Sequence, residues 1–126
     1  MDRRWKTYLT APKEGAPPDW IAPGFALPMR FVVKAQRDEL DVTVTVGIRD
    51  RKAIVTKLEV TGGDFGVTTE QLRSIPLREL VADGARRLVL HAKPGEEPVA
   101  AQKHTKESDA AIRKAVRYVK VPGGRP

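Results

Sequence analysis

Between residues 41 and 49 an aliphatic residue occupies every second position. Val42, Val44, Val46 and Ile48 alternate with Thr43, Thr45 and Gly47. A period of two is that of a pleated strand, whose side chains point to opposite faces in turn, and it does not fit a helix. The flanking segments repeat it. Residues 29–36 place Phe31, Val33 and Ala35 on one side and Arg30, Val32 and Lys34 on the other. Residues 53–61 place Ile54, Thr56, Leu58 and Val60 on one side and Val55, Lys57 and Glu59 on the other. The connections, Gln36-Arg37-Asp38-Glu39 and Arg49-Asp50-Arg51-Lys52, are short and polar, so the sequence predicts a three-stranded antiparallel meander. One apolar and one polar face imply that the sheet is covered on one side only.

The cover is written directly after the meander. Gly62-Gly63-Asp64-Phe65-Gly66 closes it as a flexible loop. Thr68 with Gln71 three residues later fits a capping box, in which each side chain bonds an orphan backbone N–H of the other. Pro76 suits the first turn of a second helix, where its missing N–H costs nothing. From there Leu77, Leu80, Val81, Gly84, Ala85 and Leu88 recur at helical spacing, while Arg78, Glu79, Asp83, Arg86 and Arg87 fall largely opposite. Asp83 is placed to pair with Arg86 or Arg87, a contribution of only ~0.2–0.5 kcal/mol. Gly84 weakens the helix by up to ~1 kcal/mol relative to alanine, and its missing side chain allows close approach to the sheet. Val89 and Leu90 extend the helix or add a short strand. The fold class is therefore α+β, a meander packed by one or two helices around residues 29–90.

The ends read differently. Residues 10–28 hold Pro12, Pro17, Pro18, Pro23 and Pro28, a density that forbids regular helix or a central strand, so residues 1–28 are expected as an extended Pro-rich arm. Trp5, Tyr8, Trp20, Ile21 and Phe25 are the groups to pin that arm on the core or on a partner. Residues 91–104, with Lys93-Pro94-Gly95-Glu96-Glu97-Pro98, have no periodicity and read as a linker. Residues 105–126 begin with a helix that starts between 105 and 109 and ends near 121. Ile112, Ala115, Val116 and Val119 form its narrow apolar stripe, which wants a partner in this domain or another chain. Arg113, Lys114, Arg117 and Lys120 form its basic face, and acid at the start with base at the end suits the helix dipole. Pro122-Gly123-Gly124-Arg125-Pro126 reads as a hinge, with a further domain expected beyond it.

Charge points to a class of partner. The 126 residues carry a net charge of +7, and residues 91–126 hold +4 of it. Concentrated basic charge attracts nucleic acid, anionic lipid or an acidic protein. The chain has no cysteine, hence no disulfides or thiolate metal sites, and this fits a reducing compartment. No apolar run approaches the ~18–20 residues of a membrane span, and the basic N-terminus lacks a signal core. A cytoplasmic protein with no membrane association is expected.

Catalytic chemistry is not visible. His91 and His104 stand in the linker region without metal-ligand spacing. Ser74 and Ser108 occupy helix-cap positions. The glycine-rich loop at 62–66 lacks the Lys and Ser/Thr of a phosphate-binding loop. No enzyme activity and no cofactor are expected. The residues that remain are basic: Arg49, Arg51 and Lys52 at a hairpin tip, and Arg113, Lys114, Arg117 and Lys120 on the last helix. Such side chains pair with phosphate oxygens, which supply affinity and little sequence information. Neither a base-reading helix nor an RNA-binding aromatic pair on adjacent strands is present.

The segment Val67-Thr68-Thr69-Glu70-Gln71-Leu72-Arg73-Ser74-Ile75-Pro76-Leu77-Arg78-Glu79-Leu80 resembles a stretch of small actinobacterial and actinophage proteins, with the similarity spanning residues 29–90. In those proteins a β-rich N-terminal region leads toward a C-terminal helix-turn-helix, which has no counterpart in these 126 residues. The resemblance implies a non-enzymatic N-terminal module of a DNA-binding transcriptional regulator. Its role would be oligomerisation or partner docking, with auxiliary phosphate contacts to DNA. The alternative is a protein–protein interaction module of a phage or mobile-element protein that binds no nucleic acid.

Overall fold

The computed structural model describes residues 5–10, 18–64, 66–92, 97, 99–100 and 105–119. They form a mixed α+β fold with two antiparallel sheets. The first sheet has the order β1-β4-β5-β6, from β1 (Lys6–Thr10), β4 (Arg30–Arg37), β5 (Leu40–Arg49) and β6 (Lys52–Thr61). The second has the order β2-β3-β7-β8, from β2 (Pro18–Ala22), β3 (Phe25–Pro28), β7 (Leu90–His91) and β8 (Val99–Ala100). The helices are α1 (Thr69–Arg73), α2 (Leu77–Leu88) and α3 (Lys106–Ala115), the last running into a 3-10 turn at Val116–Tyr118.

The alternation seen at residues 41–49 sets the register. Phe31 lies opposite Val46, Val33 opposite Val44, and Ala35 opposite Val42. All six are at most 1% exposed and face the core. Burial of a Val or Phe contributes about 1.5–3 kcal/mol each, several times a surface ion pair, so this apolar row fixes which face turns inward.

The third strand departs from its expected faces. A register shift lies between Thr45 and Val46, where Thr45 pairs with Lys57 and Val46 with Val55. Thr56 is the extra residue of a β-bulge, and its hydroxyl donates to the Thr45 carbonyl (3.3 Å). The bulge switches the alternation. Ala53 and Val55 point inward before it and half-buried Leu58 and Val60 after it, while Ile54, assigned to the apolar face, is 40% exposed. A simple period of two cannot show a bulge.

The N-terminal residues are not an extended arm where they are described. The Lys6–Thr10 strand pairs antiparallel with β4, so the first sheet has four strands rather than three. Residues 18–28 form a hairpin in which Ala22 lies opposite Phe25, with Pro23 and Gly24 in the turn and Gly24 at φ +84°. Proline at the first central position and a left-handed glycine at the second are the chemistry of a type II turn. Pro18 and Pro28 sit at strand ends, where a missing N–H is tolerated. Pro12 and Pro17 lie outside the described residues. The linker reading is corrected in the same way. Leu90 and His91 pair with Ala26 and Phe25, then with Ala100 and Val99.

The capping box is formed. The Thr68 N–H donates to Gln71 Oε1 (2.9 Å) and the Gln71 N–H donates to Thr68 Oγ1 (3.1 Å). Ser74 closes α1, its hydroxyl donating to the Gln71 carbonyl (2.7 Å). Pro76 stands at the N-cap of α2 and makes no side-chain cap. Helix α2 then buries Leu77, Leu80, Val81, Gly84 and Ala85.

Gly84 is the tightest point of this packing. A Cβ there would lie 2.8 Å from Val33 Cγ2 and 3.1 Å from Leu9 Cδ2. Gly84→Ala therefore sets a helix-propensity gain of up to ~1 kcal/mol against overpacking of ~1–3 kcal/mol. A net loss of about 1–2 kcal/mol is expected by urea unfolding. In the double variant Gly84→Ala/Val33→Ala the two effects should be less than additive; strict additivity would show that the contact is not the cause.

Candidate functional site

Two basic clusters far apart in sequence meet in space. The first is the β5–β6 turn, in which Arg49 lies opposite Lys52 and the two central residues, Asp50 and Arg51, take φ +53° and +64°. Two successive left-handed residues make a mirror-image turn, whose twist matches the strands it joins. Aspartate tolerates that conformation. Arginine does not, at ~1–2 kcal/mol in the left-handed region, and a glycine would sit there without strain. Arg51 is thus held where its backbone is disfavoured and its side chain projects from the tip.

The second cluster is α3. Thr105 caps it: its N–H donates to Ser108 Oγ (3.0 Å) and its Oγ1 accepts from the Ser108 N–H (3.1 Å). Ser108 is 1% exposed, and its hydroxyl also donates to the Thr105 carbonyl (3.1 Å). The apolar stripe closes on its own fold. Ile112, Ala115, Val116 and Val119 are all buried in the common core, which settles the question of its partner. The opposite side leaves Arg113, Lys114 and Arg117 exposed.

The turn and the helix share a surface. Arg51 and Lys114 line one open cavity of about 610 Å³ with Ile21, Pro23, Glu107 and Ala111. Arg49 and Arg51 line a second, of about 430 Å³, with Asp19, Trp20, Met29 and Asp50. Lys52 Nζ stands 4.6 Å from the centre of the Tyr118 ring, an exposed cation–π contact of about 0.5–1 kcal/mol. Arg51, Lys52, Arg49 and Lys114 are therefore brought together around the β2 edge. Arg113 is engaged otherwise, with its Nε 3.1 Å from Asp109 Oδ2. The same carboxylate takes Arg86 Nε at 2.9 Å and so ties α3 to α2. Lys120 lies outside the described residues. From sequence Trp20 reads as an anchor of the N-terminal segment, Glu107 as an acid at a helix start, and Tyr118 carries no reading; only the packing of α3 and β2 brings them beside the turn.

The remaining sequence candidates have local duties. His91 sits in β7, not a linker, edge-on to Phe25 with centroids 5.6 Å apart. His104 lies outside the described residues. Among the described residues there is no cluster of three metal-ligating side chains, and no helix is long and apolar enough to cross a membrane.

The Lys57–Glu59 ion pair perturbs titration. Lys57 Nζ lies 2.7 Å from Glu59 Oε1 on the open side of β6. Its hydrogen bond, then its charge, hold the Glu59 carboxyl below the usual glutamate range and raise Lys57. A carboxylate with a lowered folded pKa contributes stability above its unfolded value, and that contribution fades as pH falls through the folded one.

No protein-family model, no curated protein and no solved structure matches this chain.

Two outcomes are expected. Asp109→Asn should lower stability by about 1 kcal/mol in urea unfolding, less at high salt, because a half-exposed ion pair is partly screened. In an NMR carboxyl titration, Lys57→Ala should return Glu59 to the ordinary glutamate range; an unchanged midpoint would mean the pair does not persist in solution.

Proposed function

We propose that this chain is a non-enzymatic module of a DNA-binding regulator, and that its own contribution to binding is contact with phosphates. The convergence of the β5–β6 turn with α3 carries this reading. Arg49, Arg51, Lys52 and Lys114 come from separate elements yet present guanidinium and ammonium donors around one edge of the fold. Guanidinium groups engage phosphate oxygens in bidentate fashion, and ammonium groups act as point charges. Neutralising phosphates releases counterions, so the affinity is salt-dependent and carries little base information. Exposed Arg117 continues the basic side of α3.

The left-handed Arg51 supports the same view. Glycine is the conformationally cheap residue at that position, and an arginine there serves its side chain rather than its backbone.

Binding to a short DNA duplex of arbitrary sequence, followed by fluorescence anisotropy at several salt concentrations, tests this. Non-specific binding near 10⁻⁴–10⁻⁶ M at physiological salt is expected, roughly equal for unrelated sequences. Arg51→Gly should weaken it while leaving the fold as stable as before, or up to about 1 kcal/mol more stable, since strain relief offsets the entropy of glycine. Lys114→Ala/Arg117→Ala should weaken it further. A wild-type chain that ignores DNA at low salt would sink the proposal and favour a protein-docking module.

A further inference from the structure

The outward side of the first sheet carries a charge pattern that sequence periodicity alone leaves unassembled. Cross-strand register places Lys6 beside Gln36 and Tyr8 beside Lys34. Arg30 stands beside Gly47, which in turn stands beside Ile54. Farther along, Thr45 faces Lys57, Thr43 faces Glu59, and Arg49 faces Lys52. By register this side carries Lys6, Arg30, Lys34, Arg49, Lys52 and Lys57 against the carboxylates Asp41 and Glu59, with the Lys52 ammonium itself held over the Tyr118 ring. All eight are exposed. Between them lie Thr43, Thr45 and Gly47, which leave the middle of the face low and flat.

A solvated sheet face is the ordinary explanation for exposed cations, and edge protection is the ordinary reason for lysines on outer strands. Edge protection accounts for Lys6 on β1 and Lys57 on β6, and Glu59 already takes Lys57. It does not account for Arg30 and Lys34 on β4 or Arg49 on β5, which are inner strands. Those three, with Lys52, run along the sheet into the β5–β6 turn.

We infer that this open sheet face docks on the sugar–phosphate backbone of duplex nucleic acid, as an extension of the turn-and-helix surface. The inference rests on the phosphate-binding reading above and widens its footprint. Strands about 4.8 Å apart and rows about 6.8 Å apart give a face roughly 27 Å long on β5 and β6 and about 14 Å wide over the three rows that all four strands share, wide enough there to cross a groove and meet both bordering phosphate strands. A single strand is the poorer fit. Tyr8 is the one aromatic that the described register puts on this side, and single-strand binders need successive stacking platforms. An anionic membrane fits less well too. Tyr8 and Ile54 stand on opposite edge strands and Val32 is half-buried, so the described residues of this face form no apolar patch to insert.

The test is a salt titration of duplex binding by the wild type, by Arg30→Ala/Lys34→Ala and by Arg51→Gly/Lys114→Ala. The slope of log affinity against log salt should fall by about one per lost phosphate contact, hence by about two in the sheet variant, with the loss adding to that of the turn-and-helix variant. Circular dichroism of the sheet variant should match the wild type, and Arg30→Gln/Lys34→Gln serves if the alanine pair perturbs the strand. An unchanged slope and affinity in the sheet variant, beside a weakened turn-and-helix variant, overturns this inference and leaves the proposed function standing. Absence of duplex binding by the wild type overturns both. Two results reject the duplex as the occupant: tighter binding of a single strand that is lost in Tyr8→Ala, or uptake by phosphatidylserine vesicles without duplex binding.

Discussion

Helix α2 lies on the first sheet at a distance that leaves no room for a Cβ at Gly84 unless the Val33 side chain shifts. With Val33 Cγ2 2.8 Å and Leu9 Cδ2 3.1 Å from where a Cβ would stand, the Gly84 backbone rests on β4 and β1 together. Close-packed interiors transmit such a constraint, because few voids exist to absorb a shift. Asp83, the residue before, accepts from Thr7 Oγ1 (3.4 Å) and meets Arg87 Nη2 (3.0 Å). Arg87 also donates to the Thr7 carbonyl (3.5 Å), so one turn of α2 secures the first strand from both chemistries. Two residues beyond Gly84, Arg86 holds Asp109 and thereby α3. The end of α2 also delivers Leu90 and His91 to the edge of β3. The seat of one helix thus bears on both sheets and on the last helix.

A consequence is the division of the first sheet. Ile21, Phe25 and Leu27 of the second sheet, α2 and α3 share one core with Phe31, Val33, Val42, Val44 and Val46. Among the described residues, the buried apolar partners of the sheet are on that side. The other side remains with threonines and cations, and charges that would be costly to bury stay hydrated there. Arg37, at the end of β4, folds back instead, with its guanidinium 4.6 Å over the Trp5 ring and Nη2 donating to Ser74 Oγ (3.0 Å). Arg37 thus serves packing, whereas Arg30 at the other end of β4 and Lys34 within it lie on the outward side by register.

Much of the first sheet was legible because burial and pleat share a period of two. Val42 to Ile48, the turn at 49–52, the capping box of Thr68 and Gln71, and the close approach at Gly84 were all readable from residue type and spacing. The bulge at Thr56 was not, because an inserted residue leaves both half-patterns intact and only shifts their phase. The hairpin at residues 18–28 was obscured by proline density, which excludes interior strand positions but not strand ends and turns, and the five-residue strand at 6–10 is too short to show a period of its own. At the candidate site each basic cluster was legible on its own element. That Arg51 and Lys114 line one cavity, that Lys52 meets Tyr118, and that Asp109 reaches Arg86 depend on where α3 packs. No local pattern encodes that position.

The sequence by itself determined the α+β class, the inward row of the first sheet, the capped entry to α1 and the basic excess. Each of these follows from chemistry within a few neighbouring residues. Only the tertiary structure decided that the N-terminal residues join both sheets and that the stripe of α3 closes on its own core. It also decided which of the scattered cations share a surface. Strand pairing and helix seating join residues distant in the chain, and their choice rests on burying apolar area jointly. A short window of sequence holds only one partner of such a contact.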